Sequence, residues 1–129
     1  VKAILLVAQA AAVHMDDKSF SVLRGGLTAL NVEPNPDGYS FSATLVAMIE
    51  GNPSAEGRDH RMQINCVNAD GHKLPGFQYV EPFKLSRNGA SIGAFPFSIR
   101  FPRTGVYSFQ LFVDDALLAD RQFSVEERP

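Results

Sequence analysis

Hydrophobic and polar positions alternate with period two along most of this chain, the signature of strands with one face in a core. From Tyr39 the odd positions read Tyr39, Phe41, Ala43, Leu45, Ala47 and Ile49. The even ones begin Ser40, Ser42 and Thr44, and this polar parity holds only through the first half of the run. Met62, Ile64 and Cys66 alternate with Arg61, Gln63 and Asn65. Phe95, Phe97, Ile99 and Phe101 alternate with Pro96, Ser98 and Arg100, and Tyr107, Phe109, Leu111 and Val113 with Ser108 and Gln110. Leu117, Ala119, Phe123 and Val125 share a last face, with Arg121 as the exception. The start of the chain differs. Ala3 to Ala8 is a continuous apolar run, which predicts a fully buried first strand rather than a secretory leader. Ala10, Ala11 and Ala12 leave the second half of that element open between strand and helix.

Turn chemistry falls between the runs. Asp16-Asp17-Lys18-Ser19 separates the first strand from Phe20-Ser21-Val22-Leu23, and Gly25-Gly26 breaks that strand from Leu27 to Leu30. Pro34-Asn35-Pro36-Asp37-Gly38 predicts a loop, as does the segment 51–57, because paired prolines do not sit in a central ladder and Asp-Gly favours a tight turn. Asn68-Ala69-Asp70-Gly71 is a hairpin signal, and Asp114-Asp115 joins the last two strands. The stretch from Lys73 to Gly89 reads as irregular, interrupted by Pro75, Gly76 and Pro82. No segment has helical periodicity of adequate length. The pattern predicts an all-β, two-sheet antiparallel β-sandwich of eight to nine strands with little helix, filling residues 1–129 as one domain.

The C-terminal third carries the most specific features. Phe101-Pro102-Arg103-Thr104-Gly105-Val106-Tyr107 reads as a strand, a tight turn and a strand opened by Gly-x-Tyr. It is followed by the Asp114-Asp115 hairpin and the ending Phe123-Ser124-Val125. This looks like the last three strands of immunoglobulin-like sandwiches. There, a tyrosine near the start of a late strand bonds back to the preceding corner; Tyr107 as a plain core aromatic is the other reading. With the apolar opening, the Asp16-Asp17-Lys18 turn and the strand ending in Gly25-Gly26, the chain resembles a family of small bacterial proteins of unknown function. The resemblance implies a stand-alone cytoplasmic β-sandwich and carries no known activity or functional residue.

Composition removes several function classes. The 129 residues include 12 basic and 14 acidic ones, a formal charge of -2, which argues against a nucleic-acid surface. One cysteine among 129 residues allows no internal disulfide and no Cys-rich metal site. No apolar run approaches the ~18–20 residues of a membrane-spanning helix. His14, His60 and His72 have no metal-ligand spacing, and the last two are expected to be exposed. Cys66 falls on an apolar parity as a small core residue, with nothing nearby in sequence to lower its pKa. Asp16, Asp17, Asp70, Asp114 and Asp115 would hold calcium only if their turns met, and turns favour aspartate for backbone reasons alone. The expectation is therefore a protein without catalysis, metal or cofactor.

The stretch Leu74 to Phe83 is the remaining candidate. Read as a loop, it places Phe77, Tyr79 and Phe83 among prolines and a glycine. Such a loop makes a contact surface that loses little entropy on binding; packed over the core, it serves as cover for a sheet edge. The sequence thus predicts an interaction module acting through protein–protein contacts, by a sheet edge or by the 74–83 loop, with self-association as one form. The alternative is a small-molecule or carbohydrate site stacking on Phe77, Tyr79 and Phe83, with Gln78 and Glu81 as polar partners.

Overall fold

Each alternating run is a strand in the computed structural model, which describes residues 2–13, 20–32, 34–36, 38–51, 59–84 and 90–127. In chain order these are β1 (Lys2–Val13), β2 (Phe20–Gly25), β3 (Ala29–Val32), β4 (Pro34–Asn35), β5 (Gly38–Glu50), β6 (Asp59–Asn68), β7 (Lys73–Lys84), β8 (Ala90–Phe101), β9 (Gly105–Val113) and β10 (Ala116–Glu127). β4 is a two-residue stub, and no helix occurs among the described residues. The first sheet has the order β2-β1-β5-β8, with β4 also on β5. The second has the order β3-β10-β9-β6-β7. Every pairing is antiparallel except β3 with β10, which makes the second sheet mixed.

The two sheets face each other across the predicted apolar parities. Leu5, Val7, Leu45, Ala47, Ile99 and Phe101 come from one side. Met62, Ile64, Cys66, Phe109, Leu111 and Phe123 come from the other. Aromatic rings bridge the layers: Phe97 lies 5.3 Å from Phe109, and Phe101 lies 4.8 Å from Tyr107. Each large side chain closed off this way contributes about 1.5–3 kcal/mol of burial. Arg121 breaks the apolar parity because its Nε donates to the Leu5 carbonyl of the opposite sheet at 3.0 Å. Its charge is thus anchored where an apolar residue would otherwise stand. Tyr107 donates its hydroxyl to the Arg103 carbonyl at 2.6 Å, locking the corner that enters β9.

Several segments differ from the sequence reading. A register shift between Leu117 and Ala119 turns Leu117 outward, 51% exposed, away from the face of Ala119, Phe123 and Val125. Pro34 and Asn35, read as loop, form the stub β4. Residues 74–83 are not a loop but most of β7, paired along β6 from Lys84↔Asp59 to Gln78↔Asn65 and again at Lys73↔Val67. The prolines are tolerated because β7 is the outermost strand of its sheet. The register irregularity between Asn65 and Val67 absorbs Gly76, whose φ is +83°. Ala10 to Ala12 continue β1 as strand, pairing with Leu23, Val22 and Ser21. β8 begins at Ala90, five residues before the alternation becomes visible. At the β4–β5 turn Gly38 is required: its φ is +122°, and a Cβ there would lie 2.5 Å from the Phe101 carbonyl oxygen.

Candidate functional site

Register partners in a sheet share a face. Since Leu5, Leu45 and Ala47 point inward, the even-numbered residues of β1, β5 and β8 form the outer face of the first sheet. Three rows cross it: Ile4, Met48 and Ile92; then Leu6, Val46 and Ala94; then Ala8, Thr44 and Pro96. Val46 holds the centre of this grid and is 1% exposed, closed over by its neighbours. Ile4 on the rim is 54% exposed, while Leu6, Met48, Ile92 and Ala94 are half-buried. Ala10 with its partner Leu23 extends the apolar surface onto β2, and both are exposed. Within the three rows Thr44, buried, is the one polar side chain, and charged or exposed polar groups come at the ends. Lys2 stands beside Glu50 at one, and at the other Ser42 donates to the Ser98 hydroxyl at 3.0 Å.

The outer face of the second sheet is built differently. Its corresponding central row is Gln78, Asn65, Gln110 and Asp120. Asn65 is 3% exposed and accepts from Gln63 Nε2 at 3.2 Å. Asn65 and Val46 are thus buried to the same degree by in-sheet neighbours, one inside a polar lattice and one inside an apolar one. Apolar residues on this side are spread over separate rows: Val80, Phe112 and Leu117 beside Gln63, Val67 beside Ser108, and Val106 beside Ser124. Among the described residues no further layer covers the first sheet: outside that sheet, its strands mainly contact β3, β7 and β10 of the second. The apolar run at the chain start is therefore buried on its inner face and only in part on its outer one, where Ala8 is buried, Leu6 half-buried and Ile4 exposed, which corrects the expectation of full burial.

The edges point the other way. β7 and β8 are the outermost strands of their sheets and lie against each other on one side of the sandwich. β7 carries Pro75 and Pro82, and β8 carries Pro96. Glu81 shares the inward parity of Met62 on β7 and is exposed. Prolines and an inward-directed charge on edge strands prevent a further strand from adding. Between these strands a cavity of about 220 Å³ is lined by Ala47, Ile49, Met62, Phe83 and Phe95, with Glu81 at its rim. The Phe95 ring folds back over Gly93, where a side chain would strike it.

Phe77, Tyr79 and Phe83 lie on this strand, half-buried and turned onto the core. Phe77 meets Phe97 and Phe109 at 5.9 and 5.4 Å, Tyr79 meets Phe95 at 4.7 Å, and Phe83 meets His60 at 5.5 Å. All three rings therefore already have aromatic partners within the molecule. The Tyr79 hydroxyl donates to Glu81, and burial together with that carboxylate pushes its pKa up to about 12.

His60 is not exposed as expected but 8% exposed, and among the described residues it pairs with a carboxylate in the manner of an acid–base couple. Its Nδ1 lies 2.7 Å from Asp114 Oδ2. The other Asp114 oxygen accepts the Arg61 backbone N–H at 2.9 Å, the Asp114 N–H bonds to the Arg61 carbonyl at 2.9 Å, and Asp115 takes the Arg61 guanidinium at 2.6 Å. The His60 contact, then the Arg61 N–H, hold the Asp114 carboxyl below its usual pKa. The β9–β10 turn, with φ of 50° and 69° at its two aspartates, is docked onto β6 by these bonds. Neither sequence neighbour hinted at the pair, because its partners are 54 positions apart.

The calcium arrangement does not form among the described residues. Asp70 lies in the turn after β6, and Asp114 and Asp115 lie at its opposite end beside Arg61. No group of three metal-binding side chains occurs there either. His14, Asp16 and Asp17 lie outside the described residues. His72 is exposed, and Cys66 is buried as a free thiol whose pKa burial raises to about 12. Among the described residues no helix is long and apolar enough to cross a membrane. A model of a family of unknown function matches residues 3–126, and no curated protein matches the chain.

Proposed function

The chain belongs to that family, DUF6941, and we propose that it is a non-catalytic β-sandwich module that works by protein–protein contact through the outer face of its first sheet. The observation that carries this is the apolar grid around Val46, set against the polar lattice around Asn65 on the opposite face. Contiguous apolar surface that stays open to solvent marks interaction sites. The contact surface is thereby the face rather than the β7–β8 edge or the 74–83 segment, whose prolines and engaged rings speak against both. The His60–Asp114 pair supports the non-catalytic reading, because its bonds are used to hold a turn.

Two further readings go with it. The strand arrangement is immunoglobulin-like: β3 runs parallel beside the last strand, and the Tyr107 hydroxyl ties the corner before β9. The compartment is the cytoplasm, where a lone free thiol such as Cys66 stays reduced.

The test is site-specific photo-crosslinking in the native cell. A crosslinking side chain replacing Ile4 is expected to trap protein adducts, and one replacing Val80 on the other face is expected to trap none. Equal trapping at both positions, or none at position 4, overturns the reading.

A further inference from the structure

We propose that the occupant of this face is a second copy of the chain, packed sheet to sheet about a two-fold axis crossing the strands at the Leu6–Val46–Ala94 row. This rests on the interaction reading above and gives it a partner. Three observations support it.

The first is the grading of side-chain size along the strands. Ile4, Met48 and Ile92 form a bulky row two residues to one side of Val46, and Ala8, Thr44 and Pro96 a smaller row two residues to the other. A two-fold axis perpendicular to the strands keeps their lateral order and reverses their direction. It lays the bulky row of one copy over the low row of its mate, where Ala8 and Thr44 are already closed to solvent and Pro96 is exposed, and the reverse, so tall and low rows alternate across the interface. The match is isologous, as closed dimers require.

The second is area. With strands ~4.8 Å apart and residues ~3.4 Å along them, the six residues of β2 and the 12, 13 and 12 of β1, β5 and β8 make a face of about 700 Å². Two such faces bury about 1,400 Å², within the range of ~1,200–2,000 Å² for stable specific interfaces. Sheets stack ~10 Å apart with their strands ~30° from parallel, which suits a face without tall protrusions. Ala8, Ala10, Ala94 and Gly25 keep this one low.

The third is polarity. The apolar centre is flanked by Lys2 beside Glu50, opposite charges in register, and by the bonded pair Ser42–Ser98. Reversing one copy sets the Lys2–Glu50 pair of each over the Ser42–Ser98 pair of its mate, with the exposed Arg100 two residues further out. An apolar centre with a polar rim is the usual anatomy of an association surface.

The test is sedimentation velocity of the full chain from about 1 µM to about 1 mM, far enough to reach weak association. It is run for the wild type, Ile4→Lys, and Leu117→Lys on the opposite face, with thermal melts to check folding. Ile4 occurs twice in the dimer, so Ile4→Lys is expected to raise its dissociation constant at least ~10-fold, while Leu117→Lys leaves it unchanged. Leu6→Cys supplies an independent readout, because the axis sets position 6 against its own mate. A disulfide-linked dimer is expected for Leu6→Cys and not for Leu117→Cys, with Cys66 buried in both. A wild type that stays monomeric throughout overturns the proposal. So does a dimer lost on Leu117→Lys but kept on Ile4→Lys, or one that gives no Leu6→Cys crosslink. If the chain is monomeric while position 4 still traps a different protein, the interaction reading stands and the second copy is excluded.

Discussion

Replacing each of two adjacent aspartates with glycine separates turn strain from turn docking. Asp114 and Asp115 both have positive φ, 50° and 69°, where an L-residue is disfavoured by about 1–2 kcal/mol. Glycine removes that penalty at either site but gives back about 0.5–1 kcal/mol in chain entropy, leaving a few tenths of relief. The bonds lost differ. Asp115→Gly removes the Arg61 pair, whose side chains are 54% and 80% exposed, and such pairs contribute about 0–1 kcal/mol. Asp114→Gly removes the bond to buried His60 and the bond from the Arg61 N–H. Bonds to charged groups contribute about 1.5–3 kcal/mol, here at the low end because Asp114 is 52% exposed, and an ordinary bond adds about 1. Asp114→Gly is therefore expected to cost about 2 kcal/mol and Asp115→Gly at most about 0.5, measured by urea unfolding at pH 7. The gap also depends on acid. The folded-state pKa of Asp114 is lowered from 3.8, so its contribution is complete above that value and fades as pH falls below it toward the lowered one. The stability difference between wild type and Asp114→Gly should shrink correspondingly. Equal losses in the two variants at pH 7, or a gap unchanged by acid, would refute the docking argument.

Tyr107→Phe deletes the bond to the Arg103 carbonyl without changing ring packing, and should cost about 1 kcal/mol in the same assay. Gly38→Ala forces a Cβ to within 2.5 Å of the Phe101 carbonyl at a φ of +122°, and should lower the melting temperature far more than Gly71→Ala, whose Cβ would meet nothing within 4 Å. The pKa values of Cys66, Tyr79 and Tyr107 are all raised by burial, so these groups favour folding while protonated. That stability is present below pH 9 for Cys66 and below pH 10 for the tyrosines, and is lost as pH rises through the raised values, about 12 for Cys66 and Tyr79, which an alkaline unfolding titration reads. Cys66 should accordingly stay inert to thiol reagents at pH 8 until urea unfolds the chain.

The inward parities were legible because a half-buried strand writes its core face directly into the sequence. Tyr39 to Ile49, Met62 to Cys66 and Tyr107 to Val113 are all inward as read. Residues 74–83 were misread because Pro75 and Pro82 are incompatible only with a strand flanked on both sides. Sequence does not say which strand is outermost; that follows from the strand order, in which β7 pairs with β6 alone. His60 was misread for a related reason. A charged flank, Arg58-Asp59-His60-Arg61, signals exposure, yet the β9–β10 turn arrives from 54 positions away and covers the ring. The parallel β3–β10 pairing is equally non-local, since its partners lie 95 positions apart in register.

The outer face of the first sheet was visible in the sequence as a failure of alternation. The polar parity of β5 stops after Thr44, giving way to Val46 and Met48, and the run from Ala3 to Ala8 has no polar parity at all. The physical expectation from such runs is burial on both sides, because an apolar outer face gains nothing from water. That expectation fails for the isolated chain at Ile4, which is 54% exposed, and at Leu6, Met48 and Ile92, which stay half-open. The fold meanwhile protects its outer strands β7 and β8 with Pro75, Pro82 and Pro96. A chain that blocks strand addition on one side while leaving a face apolar discriminates between two modes of association. An open edge at that side is a template on which other chains add and aggregate, whereas two faces meeting across a two-fold axis close after one step. The same grid that breaks the alternation rule for a monomer obeys it for a pair, in which the even-numbered positions of β1, β5 and β8 become a second core.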